Sequence, residues 1–109
     1  MPGAIHTDTT TRPDRVVLAV SGELDMGSCT RLSTLTDALI LSGRTLALEM
    51  SAVTFLDSSG LHLLLTLRNR ALAQGGRLEL HCVPHQAQRV LDLTGTRHLF
   101  TLRPGTPTA

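Results

Sequence analysis

The chain has 109 residues, 41% hydrophobic and 17% charged, which is enough apolar material for one packed domain and too much for wholesale disorder. Its ten basic residues are all arginines and stand against nine acidic ones, a formal charge of +1 that excludes lysine chemistry and argues against nucleic acid as the main partner. Phe55 and Phe100 are the only aromatic residues, so base-stacking platforms and aromatic cages have no material.

Met1 to Pro13 is polar and threonine-rich, without the apolar run of a secretory signal. Within it, Ile5 to Thr9 can pair as an antiparallel edge strand. Arg12-Pro13-Asp14-Arg15 is a turn signal. Val16 to Ser21 is a continuous apolar run bounded by Gly22, the pattern of a strand buried on both faces. Cys29, Leu32, Leu35 and Leu39 then recur at helical spacing, with Ser28 as N-cap and an end near Ser42-Gly43. Thr45 to Met50 alternates, with Leu46, Leu48 and Met50 facing the core.

Leu61 to Gln74 reads as a helix that stops at Gly75-Gly76. His62, Thr66, Asn69, Arg70 and Ala73 share one side, and Leu61, Leu64, Leu65 and Leu72 the other. Arg77 to Cys82 alternates again, with Leu78, Leu80 and Cys82 inward. Pro84 opens a third helix whose apolar face is Ala87, Val90 and Leu91, stopped by Gly95. Leu99 to Leu102 is a candidate last strand, and residues 103–109 read as a flexible tail. Strands alternating with helices imply crossovers, hence an α/β fold with a mainly parallel sheet of four or five strands packed against three or four helices. The domain is expected over residues 14–102, after a polar segment 1–13.

No stretch reaches the ~20 apolar residues of a membrane span, so a cytoplasmic protein is expected. Cys29 and Cys82 form no CxxC and read as small buried hydrophobes. His81-Cys82-x-x-His85 offers nitrogen and sulfur ligands, but alternation sends His81 and Cys82 to opposite faces and a fourth ligand is missing. These read as surface histidines at a strand end, with no metal. No phosphate loop occurs, and no cofactor is implied.

The most pointed feature is Asp57-Ser58-Ser59-Gly60, where a strand hands over to a helix. One reading is structural: the small hydroxyls cap the helix. The other is functional: an exposed hydroxyl at the positive end of a helix dipole is a place to carry a phosphate. A catalytic serine is disfavoured, because no G-x-S-x-G elbow occurs and His62, one turn beyond Ser58, has no orienting partner. The chain is expected not to be an enzyme.

Gly22-Glu23-Leu24-Asp25, Phe55 to Leu61 and Val90 to Gly95, in this order and spacing, resemble STAS domains of the anti-sigma factor antagonist (anti-anti-sigma factor) family. The resemblance implies a STAS-like fold and a partner switch without catalytic residues. In that family the unphosphorylated domain binds an anti-sigma factor that is also a serine kinase of the ATPase fold, and so frees a sigma factor for transcription. Phosphorylation on the serine after the aspartate, here Ser58, ends binding, and a serine phosphatase resets it. The resemblance implies a partner-binding surface of Glu23, Asp25, Asp57, Ser58, Ser59, Gly60 and His62. Many members have a glycine where this chain has His62, which either narrows the choice of kinase or contacts the phosphate. Two alternatives are a STAS adaptor subunit of a transport or stress-sensing complex, and a small serine hydrolase using Ser58.

Overall fold

The computed structural model describes residues 5–107. The first four residues and the last two, parts of the expected segments 1–13 and 103–109, lie outside the described residues. The elements are β1 (Ile5–Thr11), β2 (Arg15–Leu24), α1 (Met26–Asp37), β3 (Thr45–Leu56), α2 (Ser58–Ala73), β4 (Arg77–His81), α3 (His85–Leu93), a single 3₁₀ turn (Arg97–Leu99) and β5 (Thr101–Arg103). The sheet order is β1-β2-β3-β4-β5, with β1 antiparallel and the remaining pairs parallel. This is the expected α/β fold. Each crossover steps to the next strand in the same direction, so crossovers of one hand leave all three helices on one face. Accordingly α1 packs on α2 and α2 on α3.

The register explains which face is covered. One row across the sheet is Thr9, Leu18, Leu48, Leu80 and Leu102, and it faces the helices. The next row, Asp8, Ala19, Glu49, His81 and Arg103, lies on the opposite face. Strand alternation thus separates an aliphatic side from a polar one. The core is almost wholly leucine and valine, with Leu18, Leu46, Leu48, Leu64 and Leu80 fully buried.

Several expectations are corrected by this geometry. In β2, Val17 is buried but Ala19 only half-buried, because the polar face carries no helix layer. That strand also runs past Gly22, whose φ of 106° lets it continue through an irregular register to Leu24. In α2 the buried stripe is Gly60, Leu64, Leu67 and Ala71, with Leu63 beside it. Leu72 lies a residue off that stripe and is exposed. Cys29 and Cys82 are half-buried free thiols, not buried ones.

His81 is the largest departure. It is buried, not on the surface: its Nδ1 lies 2.8 Å from the Gly105 carbonyl oxygen and its Nε2 3.1 Å from Glu79 Oε1. Arg103, expected to open a flexible tail, pairs with His81 in the sheet and accepts the Cys82 N–H at 2.9 Å. The backbone is tied to β4 as far as Gly105. No cluster of three metal-ligating side chains occurs among the described residues.

Candidate functional site

Two parallel strands end side by side, and each hands over to a helix through an aspartate. Leu24 pairs with Leu56, and the Asp57 N–H donates to the Leu24 carbonyl at 3.3 Å. This brings Glu23 and Asp25 of one connection next to Asp57 and Ser58 of the other. The site lies at the carboxyl end of the parallel strands, where open α/β sheets collect their functional loops.

Both helices are capped by the aspartate, not by the serines expected to do so. Asp25 Oδ1 accepts the Ser28 N–H at 2.9 Å, and Ser28 Oγ accepts the Asp25 N–H at 3.1 Å, a reciprocal capping box. Ser28 is therefore the third residue of α1; it is buried, and its hydroxyl donates to the Glu23 carbonyl. The Ser28 N–H is the main reason the Asp25 carboxyl is held below the usual carboxylate range. In α2, Asp57 Oδ1 accepts from the Ser59 N–H at 2.8 Å and the Gly60 N–H at 3.1 Å. The amides at the start of α2 are thus already taken by a carboxylate. A phosphate on Ser58 would have to sit beside that carboxylate, not in a vacant cradle.

Ser58 is exposed, Ser59 half-buried and Gly60 buried. Gly60 is forced by close approach: a Cβ there would lie 2.6 Å from the Leu24 carbonyl oxygen and 2.4 Å from Leu56 Cδ1. His62 is exposed one turn along α2. Ser58, Ser59 and His62 form one wall of an open groove of about 570 Å³, and Met26, Cys29 and Ser33 of α1 form the other. Met26 is 76% exposed, an apolar side chain left at the rim of a polar site. Burial pushes the Cys29 thiol up to about 11, with Asp57 and Asp25 adding to the shift, so the groove holds no thiolate nucleophile at neutral pH.

Every site residue singled out in the sequence is therefore at one end of the fold, although Asp25 and Asp57 act first as helix caps. The α1 wall of the groove was missed, because Met26 and Ser33 carry no motif. So was Gln86 of α3, whose side-chain amide bonds both backbone groups of Leu56.

The STAS domain model matches residues 6–109. The chain belongs to the STAS domain family. Among solved structures it is similar to an anti-sigma factor antagonist from Mycobacterium paratuberculosis, with 28% identity over 96% of this chain and 90% of that one and a TM-score of 0.83. It shares the fold of the unphosphorylated form of SpoIIAA, an anti-sigma factor antagonist (23% identity, 93% of this chain, 89% of that one, TM-score 0.72). The phosphorylated form of that Bacillus cell fate determinant matches over 93% of this chain and 92% of that one, with a TM-score of 0.67. A sulfate transporter family protein from Wolinella succinogenes also shares the fold (20% identity, 83% of this chain, 74% of that one, TM-score 0.70). No curated protein matches the sequence.

Proposed function

We propose that this STAS domain is an anti-sigma factor antagonist: it binds an anti-sigma factor with serine kinase activity, frees a sigma factor, and is switched off by phosphorylation on Ser58. One observation carries the reading. Ser58 is the exposed residue immediately after the aspartate cap, at the rim of the groove between α1 and α2. The 28% identity with an anti-sigma factor antagonist along nearly the whole chain supports it. The domain itself performs no catalysis in this reading, and a phosphatase restores the hydroxyl.

The physics of such a switch is local. Phosphorylation takes the formal charge from +1 to about −1. Fields from so small a change are screened within about 8 Å at physiological salt. A partner closing over Ser58, however, must bury the new dianion. An unpaired charge at an interface costs about 2–5 kcal/mol, roughly a 30- to several-thousand-fold loss of affinity.

The test is an affinity capture from native lysate with wild type, Ser58→Ala and Ser58→Asp as baits, with phosphopeptide mapping after addition of ATP. Wild type and Ser58→Ala should retain an ATPase-fold kinase that Ser58→Asp loses, and Ser58 should carry the phosphate. The same partners on all three baits would refute the switch. Capture of a permease alone would favour an adaptor role in transport, to which the transporter-family neighbour contributes only its fold.

A further inference from the structure

β3 is paired with β2 along its length, but with β4 only from Thr45 to Glu49. Beyond Glu49 the edge that β4 leaves has no strand beside it among the described residues. In a parallel pair, alternate residues direct both backbone groups to the same neighbour. At the end of β3, the Asp57 N–H reaches Leu24 of β2, so the N–H and C=O of Leu56 face the other way, into the gap. Gln86, in the first turn of α3, fills it. Its Oε1 accepts the Leu56 N–H at 2.9 Å, and its Nε2 donates to the Leu56 carbonyl at 2.8 Å.

At neutral pH a carboxamide is the side-chain group that presents an acceptor and a donor side by side, as a peptide unit does. Asn would be a methylene too short at this spacing. α3 itself is held by its own connection, where the Gln88 Nε2 donates to the Val83 carbonyl at 2.9 Å. We infer that Gln86 is a positioning residue for the Ser58 loop: its amide replaces a missing strand, holds Leu56 in the sheet plane, and so fixes how Asp57 and Ser58 are presented to a partner. For its regulatory meaning this inference rests on the reading of Ser58 as phosphate acceptor. In that reading α3, which contributes no residue to the groove, controls how fast Ser58 is modified.

Backbone amide exchange on the purified chain tests the clamp without any partner. Gln86→Met keeps the volume and removes both hydrogen bonds. It should raise exchange at Leu56 by about tenfold relative to Leu48, and raise Ser59 and Gly60 with it, because the bond that protects the Leu56 N–H is one of ordinary strength. Leu48 reports global opening, so loss of overall stability is subtracted. Gln86→Glu should open at pH 7, where the carboxylate faces the Leu56 carbonyl, and close again near pH 4 as its acid regains a donor. A packing role alone would leave Gln86→Met like wild type at Leu56, and that result overturns the inference. The kinase captured by wild type then gives a second readout: Gln86→Met should be phosphorylated on Ser58 about tenfold more slowly. If no kinase modifies even the wild type, the switch reading fails while the exchange data still decide the clamp.

Discussion

Gly60→Ala places a methyl group where the structure has no room. The new Cβ would meet the Leu24 carbonyl oxygen at 2.6 Å, about 0.8 Å inside ordinary contact, and Leu56 Cδ1 at 2.4 Å. The Leu56 methyl can rotate away. The Leu24 carbonyl cannot, because it accepts the Asp57 N–H and belongs to the paired end of β2. The start of α2 must back off instead. Overpacking of this kind costs about 1–3 kcal/mol, and the better helix propensity of Ala returns at most about 1 kcal/mol. Because the close contact is with fixed backbone, the cost falls in the upper part of that range, and the net loss of about 1–2 kcal/mol should lower the Tm by roughly 5–15 °C for a domain of this size. Thermal and urea unfolding followed by circular dichroism measure it. Gly43→Ala is the control: its φ is +65° with nothing within 4 Å, so it costs about 1 kcal/mol through backbone strain while leaving the Ser59 and Gly60 amide resonances in place. A Gly60→Ala protein that melts at or above the wild type would refute the close-approach argument.

Glu79 and Arg70 give two further predictions. Burial pushes the Glu79 carboxyl up, but the His81 hydrogen bond and the guanidinium groups of Arg103 (3.5 Å) and Arg77 (3.2 Å) outweigh it and hold the group below the usual glutamate range. A lowered native pKa contributes stability above the unfolded value of about 4.3 and loses it as pH falls through the native value. The urea-midpoint gap between wild type and Glu79→Gln should therefore be full at pH 7 and shrink below about pH 4; a constant gap would rule out the ionised network. Arg70 reaches from α2 to the carboxyl end of α1 and donates to the carbonyls of Thr36, Asp37 and Leu39. Arg70→Ala should cost about 1.5–3 kcal/mol in urea unfolding, and Arg70→Lys should recover only part, because an ammonium cannot span three carbonyls as a planar fork does. Full recovery by lysine would show that charge alone matters there.

Patterns that depend on neighbouring residues were legible in the sequence. The alternation of Leu46, Leu48 and Met50 identified a core strand, and Asp57 to Gly60 marked a strand-to-helix handover at the site. Where the chain departs from simple period, the reading failed. β3 continues six residues past Met50 to Leu56, because the register shift after Ala19 lets Ser51 and Ala52 interrupt the alternation without ending the pairing. Ser28 resembles a cap by residue type, yet Asp25 three residues earlier takes the position, since its carboxylate is at least as good an acceptor for the exposed amides. Long-range partnerships leave no local trace. Alternation predicts an exposed His81 on the polar face; Glu79 and the backbone carbonyl of Gly105, 24 residues away, hold its ring in a buried place. Gln86 meets Leu56 across 30 residues, and a lone glutamine has no spacing to betray it.

The sign of the charges decides how a phosphate on Ser58 would act. Glu23, Asp25 and Asp57 already make this end of the fold acidic, and the charges of both aspartates add to the upward shift of the Cys29 thiol. A partner that docks here has to supply cations or hydrogen-bond donors. Two more negative charges would strengthen the long-range attraction of such a partner, which is the wrong direction for release. Nor can the start of α2 absorb the phosphate, since Asp57 holds the Ser59 and Gly60 amides. In the proposed switch, release would therefore come from contact: the volume of the phosphate and the cost of stripping its water. The two accounts separate by salt. If screening governs, the affinity ratio between unmodified and phosphorylated protein changes steeply between 50 and 500 mM salt, because the Debye length falls from roughly 14 to 4 Å. If contact governs, the ratio does not shrink with rising salt, and screening of the extra long-range attraction widens it in favour of the unmodified protein. Titration of the captured kinase against both forms over that range measures the ratio, and a ratio that collapses at high salt would refute the contact mechanism.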